Sequence, residues 1–364
     1  MKQPTLQAKL PDWEDLVDID AVARWMHTQG LGKGAIEKAR SLGGGTQNIL
    51  LKFEFAGRNF VLRRPPRHPR VDSDDTMRRE MRVLAALAGS AVPHPALIRG
   101  CPEKNVIGTA FYLMEPIDGF NPTAGLPPLH AQDPMIRRRM GLALVEGIAA
   151  LGAIDYHAAG LADFGRPENY LHRQVARWRA QLNGYHQFAG WPGPQRMPGV
   201  EQVADWLEAN RPARFTPGIM HGDYHMANVM YRFDGPELAA IVDWELATIG
   251  DPLIDLAWLL ATWPEGAAPL PGAIAAIDPW VGFPSAEELI EHYRERTERD
   301  LTDIRWYAIL ACYKLGIIVE GTYARACAGM APHETGEQLH AGMIMLFERA
   351  LRWIRDAATK KAAS

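Results

Sequence analysis

The segment HGDYHMANVMYRFDGPELAAIVDW, residues 221–244, joins a polar loop to two short apolar runs. The runs NVMYRF and LAAIVDW bracket the turn residues DGPE, a pattern that predicts a β-hairpin. Because a hairpin brings its two ends together, Asn228 and Asp243 should be neighbours in space. Their amide and carboxylate oxygens suit Mg²⁺, which takes few protein ligands and keeps phosphates or waters. Asp223 would then stand close enough to accept a proton from an attacking hydroxyl.

The spacing of these three residues resembles the catalytic loop of protein kinases. There an aspartate is followed five residues later by a metal-binding asparagine, and a second aspartate lies on the next hairpin. The step from Asp223 to Asn228 is the same. It favours phosphoryl transfer over the simpler interpretation, a polar turn that only joins two core elements.

Charge and composition exclude several other classes of protein. The 364 residues carry a formal charge of −4, from 39 Lys and Arg against 43 Asp and Glu, which argues against a nucleic-acid-binding protein. Three scattered cysteines predict neither a disulfide framework nor a zinc site. No segment has the apolar length of a signal peptide or a membrane span, so we expect a cytoplasmic protein without a membrane partner.

The first part of the chain has the pattern of strands. Residues 39–62 contain a glycine triplet, the run ILLKFEF, a predicted turn at Gly57 and Arg58, and the start of the run FVLRR. They predict a hairpin entered through a glycine-rich turn. The following DSDDTMRREMRVLAALAG predicts one helix that ends at Gly89, and VIGTAFYLMEPIDGF returns to strand.

Helical patterns dominate after residue 117. Asp133 before Pro134 predicts a capped helix start with proline in the first turn, and Ser285 with Glu288 predicts a capping box. Long stretches with helical apolar spacing complete the chain.

We therefore predict an α+β protein of two lobes. The first lobe, residues 1–117, is small and β-rich with one helix, and the second, residues 118–364, is large and mainly α-helical.

The first lobe also offers groups that could contact phosphates. LGGGTQN is a glycine-rich turn between strands, where bare backbone N–H groups could cover phosphate oxygens. No GxxxxGK[ST] motif occurs, so the chain is not a P-loop protein. Arg63 ends a predicted strand, and Glu80 on the following helix could pair with it. Alternatively, both could be ordinary surface charges.

These motifs together resemble the aminoglycoside phosphotransferase and choline kinase superfamily, whose fold is protein-kinase-like. HGDYHMAN, IVDWELATIGDPLIDLAW, FVLRR, RRE and FYLMEPIDG carry the resemblance, which extends from about residue 19 to 350. It implies an ATP- and Mg²⁺-dependent kinase acting on an alcohol group. The first lobe would cover the nucleotide, and the second would carry the catalytic loop and the acceptor site.

The resemblance assigns roles by position in the motifs. Asp223 would be the catalytic aspartate, with Asn228 and Asp243 as Mg²⁺ ligands. Arg63 would contact phosphate in place of the lysine of other kinases, braced by Glu80. The remaining nucleotide contacts would be Gly43, Gly44, Gly45, Thr46 and Asn48 in the glycine turn, and the main chain of Glu115 and Ile117 at adenine. His221 and Asp255 would fix the catalytic loop.

Two segments narrow the resemblance to one branch. ADFGRPENYLHRQVARW and VLRRPP are similar to the phosphotransferase domain of acyl-CoA dehydrogenase 10/11-type proteins. This branch implies a hydroxyacyl-CoA acceptor, with 4-hydroxyacyl-CoA preferred. A separate acyl-CoA dehydrogenase-like partner would then complete the elimination.

Several side chains are candidate acceptor contacts. The set comprises His225, Tyr170, Arg173, Arg177, Tyr323 and Arg325. Arg173 and Arg177, four residues apart on a predicted helix, could hold the phosphates of an acyl-CoA or could belong to a salt-bridged structural helix. His225 could reach a phosphate or the substrate, or it could be a loop histidine facing solvent.

Two other functions compete with a hydroxyacyl-CoA kinase. The acceptor could be an aminoglycoside or another amino alcohol, although a cationic substrate calls for carboxylates where this chain has arginines. The substitution of arginine for lysine at Arg63 raises the second alternative, a catalytically inactive nucleotide-binding module. The intact set of Asp223, Asn228 and Asp243 argues against it.

Overall fold

The computed structural model describes residues 13–43, 48–265 and 277–363. The chain forms two compact units. One comprises the chain up to Asp118 together with Val242–Glu245, and the other comprises Gly119–Ile241 and the chain from Leu246 onwards. The short segment Val242–Glu245 therefore belongs with the first unit although it follows the hairpin of the second.

The first unit contains a five-stranded antiparallel sheet in the order β1-β2-β3-β5-β4. Its strands are β1 (Glu37–Ser41), β2 (Ile49–Phe55), β3 (Arg58–Arg64), β4 (Leu97–Cys101) and β5 (Phe111–Met114). Side chains of β2 alternate strictly between buried and partly buried, as the run ILLKFEF predicts. Phenylalanines from this sheet form much of the unit's core.

The predicted hairpin of β2 and β3 is confirmed, but its turn is one residue earlier than predicted. Phe55 pairs with Arg58, so Arg58 is the first residue of β3 and the turn residues are Ala56 and Gly57. Both have positive φ, 50° and 75°, which matches the twist of a two-residue hairpin turn. Alanine adopts this conformation less readily than glycine, so the sequence gives no direct sign of it.

Residues 13–43 and 48–118 of the first unit contain two helices, whereas the sequence predicts one. The predicted helix is α2 (Ser73–Leu87), and the additional helix is α1 (Ile19–Thr28). Asp18 caps α1 by accepting a hydrogen bond from Ala21 N at 2.8 Å. The helix is only ten residues long, and it is stabilised by packing Val22 and Met26 into the core of the unit.

The second unit is mainly helical, as predicted. Its helices are α3 (Pro128–Gln132), α4 (Pro134–Gly152), α5 (Gln174–Gly184), α6 (Val200–Ala209), α7 (Leu253–Thr262), α8 (Ala286–Arg294), α9 (Ile304–Cys327) and α10 (His333–Ala363). The predicted cap of α4 by Asp133 and the capping box of α8 are both present. Helix α9 is buried along most of its length and packs against α7 and α10. No helix of the described chain has the length and apolarity to cross a bilayer.

Two small antiparallel sheets support the polar loop of residues 221–228. They pair β6 (Gly218–Met220) with β9 (Thr248–Gly250), and β7 (Val229–Tyr231) with β8 (Leu238–Ile241). The second pair is the predicted hairpin, in which Val229 lies opposite Ile241. The loop therefore begins where β6 ends and finishes where β7 begins.

Candidate active site

The loop between β6 and β7 is held by the side chain of Asp255, in the first turn of α7. Its carboxylate accepts hydrogen bonds from His221 N at 2.6 Å and from Gly222 N at 2.8 Å. Gly222 has φ +87°, and a Cβ there would lie 2.5 Å from the carbonyl oxygen of Leu246. Glycine is required at this position both by the backbone conformation and by the close approach. The loop entry is thus fixed by a carboxylate from α7 and by the glycine conformation.

Asp223 is held by side chains from its own loop. Asn228 Nδ2 donates to the Asp223 Oδ2 atom at 2.9 Å and to its main-chain oxygen at 2.9 Å. His225 Nε2 lies 3.3 Å from Asp223 Oδ1. His225 is 6% exposed, so it is not a solvent-facing histidine. It lies in direct contact with the aspartate instead. The five-residue spacing from Asp223 to Asn228 therefore brings the two side chains together.

Positive charge keeps Asp223 ionised. Burial alone would raise its pKa, but the hydrogen bond and charge of His225, with the charges of His221 and Lys314, lower the pKa to about 2. The side chain nevertheless remains 30% exposed. An accessible, ionised carboxylate is what a group that orients and deprotonates a hydroxyl requires.

Lys314 is a residue of this site that sequence reasoning missed. It lies on α9, and its Nζ donates to the main-chain oxygen of Gly222 at 3.1 Å. The available signal was a single lysine within the otherwise uncharged run WYAILACYKLGIIV, residues 306–319. A charge in such a run has to find a partner, but the sequence does not indicate which one.

In the first unit, Arg63 is the centre of a buried charge cluster. Its guanidinium contacts Glu80 twice, through Nε at 2.8 Å and Nη2 at 3.1 Å. It also contacts Asp243 Oδ1 at 2.7 Å. Arg63 is 8% exposed and Glu80 is fully buried, so neither is an ordinary surface charge. Burial would lower the pKa of Arg63, but the negative charges of Glu80 and Asp243 raise it, so the cation persists.

The cluster includes a hydroxyl that the sequence did not single out. Tyr112 on β5 donates to Glu80 Oε2 at 2.6 Å and is almost fully buried. Asp243, by contrast, is 39% exposed and has φ +66°, an uncommon conformation for a residue other than glycine. Glu80 is therefore buried, whereas the carboxylate of Asp243 is accessible to a ligand.

The predicted nucleotide turn lies partly outside the described residues. Gly44, Gly45 and Thr46 are outside them, while Gly43 is exposed. Asn48 Nδ2 lies 3.4 Å from Glu245 Oε2, two residues after Asp243.

The predicted adenine contacts follow β5. Glu115 N donates to the main-chain oxygen of Ala96 at 2.9 Å, so a base would have to use the carbonyl of Glu115 rather than its N–H. Ile117, three residues after the end of β5, is partly buried.

Arg173 and Arg177 do not form the predicted pair on one helix face. Arg173 lies in a 3₁₀ turn before α5, where its guanidinium donates to the main-chain oxygens of Arg166 and Glu168. Its charge therefore stabilises the preceding loop. Arg177 is exposed on α5, with its guanidinium 5.1 Å from the ring centroid of Trp178. Arg173 is the last residue of that turn, and α5 begins at Gln174.

Tyr170 and Tyr323 are both engaged in packing. The Tyr170 ring would meet a Cβ placed on Gly250 at 2.9 Å, and burial raises the pKa of Tyr170 to about 12. Tyr323 stacks on His340 with ring centroids 4.2 Å apart. Arg325, on the exposed side of the same helix, donates to Thr322 Oγ1 at 2.8 Å. Nine residues of helix, about 13 Å, separate Tyr323 from Lys314.

A small pocket lies against the loop. It is lined by His225, Met226, Leu259, Thr262, Trp263, Pro264 and Trp280. Five of these seven residues have apolar or aromatic side chains, and none of the described residues that form the pocket carries a carboxylate. Since His225 contacts Asp223, the pocket lies one side chain away from the ionised carboxylate.

Several relatives of this chain are named as acyl-CoA dehydrogenase family members. Mouse acyl-CoA dehydrogenase family member 10 is 28% identical over 320 residues, which cover 87% of this chain and 29% of that protein. Chicken acyl-CoA dehydrogenase family member 11 is 30% identical over 319 residues, covering 86% and 40% respectively. The chain thus spans less than half the length of these curated relatives.

A solved structure shares the fold over nearly the whole chain. It is a protein from Ralstonia eutropha JMP134, provisionally named an aminoglycoside phosphotransferase, with 28% identity and a TM-score of 0.74. The match covers 92% of this chain and 98% of that one. The predicted kinase-like α+β fold, with a small antiparallel sheet and a helical second part, is confirmed.

The sequence model of a phosphotransferase enzyme family matches residues 38–289. This range includes all but the first residue of the sheet of the first unit, the Arg63 cluster and the loop of Asp223. The predicted activity class, a phosphotransferase, is confirmed by this match. The chain belongs to the phosphotransferase enzyme family.

Proposed function

We propose that this chain is an Mg²⁺- and ATP-dependent kinase that phosphorylates the hydroxyl group of a hydroxyacyl-CoA. The observation that carries the kinase part is the ionised Asp223, held by Asn228 and His225 in a loop whose entry is clamped by Asp255. Phosphoryl transfer needs positioning and charge neutralisation more than covalent catalysis by the protein. An inactive nucleotide-binding module would have no need of an ionised and accessible carboxylate at this position.

In this proposal Asp223 orients the acceptor hydroxyl and accepts its proton. The hydroxyl oxygen forms a bond to the γ-phosphorus of ATP while the bond from that phosphorus to the β-γ bridging oxygen breaks, giving a phosphate ester and ADP. Because its pKa is about 2, Asp223 is a weak base, so it takes the proton as the phosphoryl group is transferred rather than before.

Asn228 and Asp243 supply donors that fit Mg²⁺. Nδ2 of Asn228 donates a hydrogen bond to Asp223, so the Oδ1 atom of Asn228 is the one that would bind a cation. Asp243 offers a partly exposed carboxylate. An amide and a carboxylate oxygen, completed by phosphates and water, make a suitable set for this hard cation. When bound, Mg²⁺ neutralises charge on the phosphates.

Arg63 supplies a permanent positive charge for the nucleotide. Its guanidinium is protonated at all relevant pH values, and we assign this charge to the phosphate oxygens. Glu80 fixes its orientation from within the core, which leaves fewer conformations to restrict on binding. We assign Asn48 and the glycine turn to the phosphates, and the main chain of Glu115 and Ile117 to the base.

The choice of acceptor rests on the relatives and on the small pocket beside His225, whose described lining has no carboxylate to hold a polycationic antibiotic. The names of the mouse and chicken relatives point to acyl-CoA chemistry. Arg177, exposed on α5, is a candidate contact for the CoA phosphates. We propose that a separate acyl-CoA dehydrogenase-like enzyme consumes the phosphorylated product.

An aminoglycoside or another amino alcohol is the rival acceptor, favoured by the name of the Ralstonia structure. A coupled ADP-release assay separates the two, using 4-hydroxyacyl-CoA, the matching acyl-CoA without the hydroxyl, the free 4-hydroxy acid, kanamycin and choline. We expect ADP release only with the hydroxyacyl-CoA, and a new phosphate ester by ³¹P NMR. Turnover of kanamycin without turnover of any CoA ester would contradict the acceptor, and no turnover of any alcohol would contradict the kinase.

A further inference from the structure

Lys314 is a charged side chain that, like Asp255, reaches the catalytic loop from a helix distant in sequence. It lies in the middle of α9, among residues that are almost all buried. Its Nζ donates to the main-chain oxygen of Gly222 at 3.1 Å, 92 residues away along the chain. A lysine on a buried helix usually extends its amine to solvent. This one directs the amine to a loop carbonyl instead.

Two buried indoles surround the amine. Nζ lies 4.3 Å from the ring centroid of Trp258 on α7 and 5.5 Å from that of Trp178 on α5. Both tryptophans are at least 95% buried. Aromatic faces stabilise a cation, but they replace little of the hydration that the ammonium loses. The side chain is thus held between α5, α7 and the loop.

The amine and Asp255 hold the same backbone segment from opposite ends. Asp255 accepts from the N–H of Gly222, and Lys314 donates to the carbonyl of Gly222. That carbonyl belongs to the peptide unit whose N–H is that of Asp223, which lies 3.3 Å from His221 Nδ1. With φ +87° at Gly222, the direction of this peptide determines where the Asp223 side chain begins.

We propose that Lys314 is a positioning residue for phosphoryl transfer, whose ammonium fixes the Gly222–Asp223 peptide and thereby the orientation of Asp223. The inference rests on the proposed function, in which Asp223 is the group that meets the acceptor hydroxyl. A neutral amine still donates hydrogen bonds, but it lacks the charge that strengthens the bond to the carbonyl and attracts Asp223. Activity should therefore depend on the protonation of Lys314.

The charges around Lys314 place its titration within an accessible pH range. Burial lowers its pKa, the carboxylates of Asp223 and Asp255 raise it, and Arg177 lowers it, with a result of about 8 against an ordinary value of 10.5. The ammonium is present below pH 8 and is lost as the pH rises through that value. Between about pH 8 and 10.5 the unfolded chain binds more protons than the native one, so this group makes stability rise with pH.

Activity and stability should therefore move in opposite directions above pH 8. A residue that serves only the fold would not behave in this way. The decisive variants are Lys314→Met, which removes the charge at similar length, and Lys314→Arg, which keeps a charge that does not titrate in this range. The matched control is Arg305→Met on the same helix. Arg305 is partly buried, and its Nη1 lies 3.8 Å from Asp356 Oδ2.

We expect the kcat of Lys314→Met to fall by roughly 100-fold, within the range for a misplaced catalytic group. The KM for ATP should change by less than about threefold. The melting temperature should stay equal or rise, because an unfavourable buried charge is removed. The kcat/KM of the wild type should decline above pH 8. Lys314→Arg should keep part of the activity without this decline, and Arg305→Met should match the wild type.

Hydrogen exchange separates this inference from the proposed function, since it needs no acceptor. The amides of residues 221–223 should exchange faster in Lys314→Met than in the wild type or in Arg305→Met. Faster exchange without turnover of any alcohol would contradict the kinase but support the positioning role. Wild-type kcat and exchange in Lys314→Met would overturn the inference, and so would an unchanged alkaline decline in Lys314→Arg. If Lys314→Met did not fold, the dependence of kcat/KM on pH in Lys314→Arg would decide between the two outcomes: loss of the alkaline decline supports the inference, and an unchanged decline overturns it.

Discussion

Arg63 and Asp223 are each surrounded by partners of opposite charge, yet the two clusters have different supports. Arg63 lies on β3, and its partners Glu80 and Tyr112 lie on α2 and β5. Regular elements thus fix three of the four members, and only Asp243 comes from an irregular segment. Asp223 lies in a loop, and residues of that loop or of distant helices hold it.

The difference has an energetic consequence. In the Arg63 cluster the charges of Arg63 and Glu80 are buried and satisfy each other, so removing one leaves an uncompensated group in the core. In the loop, Asp223 stays partly exposed and water can replace a lost partner. We therefore expect substitutions of the first cluster to reduce stability and nucleotide binding together. Substitution of Asp223 should reduce turnover with little change in stability.

The largest effect is expected for Asp223→Asn. The amide keeps the size of the side chain and one acceptor oxygen but cannot accept the proton, so kcat should fall by about 10²–10⁴-fold. The melting temperature should stay close to that of the wild type, measured by differential scanning calorimetry at pH 7. Asp234→Asn, an exposed aspartate paired with Arg232, is the control with normal activity. Near-normal turnover of Asp223→Asn would remove the mechanism.

An intermediate effect is expected for Glu80→Gln, which leaves Arg63 with Asp243 as its remaining charged partner. The free energy of unfolding should fall by about 2–3 kcal/mol, since a buried ion pair loses one member. The KM for ATP should rise roughly tenfold, equivalent to about 1.4 kcal/mol. Urea unfolding and steady-state kinetics measure the two. The comparison with Glu54→Gln, in an exposed pair with Lys38, tests whether burial is the cause; equal losses would contradict it.

The smallest effect is expected for Tyr112→Phe. It removes one hydrogen bond to Glu80, whose contacts to Arg63 remain, so stability should fall by about 1 kcal/mol. Activity should change by less than about threefold, because Arg63 keeps both carboxylate partners. Tyr185→Phe, which removes a buried hydroxyl bonded to Ile317 O, should cost similar stability. A tenfold loss of activity confined to Tyr112→Phe would show that this hydroxyl is needed to orient Arg63.

Much of the fold followed from local patterns. The alternation in ILLKFEF, the cap at Asp133 and the capping box at Ser285 each concern neighbours within a few residues, and each is present. Local patterns failed where a short element depends on packing. Helix α1 has only ten residues, and Arg173 lies before the start of α5 rather than on it. Propensity is a weak signal over such lengths, and tertiary contacts decide the outcome.

The sequence by itself determined the phosphotransferase family and the candidate residues Asp223, Asn228 and Asp243, because kinase chemistry demands these residue types at this spacing. Only the tertiary structure decided what holds them. Asp255 lies 32 residues after Asp223 in the sequence, and Lys314 lies 91 residues after it. No local pattern links either residue to its partner in the loop. The position of His225 against Asp223 was equally undetermined. A buried charge must find a partner, but the fold alone decides which partner is within reach.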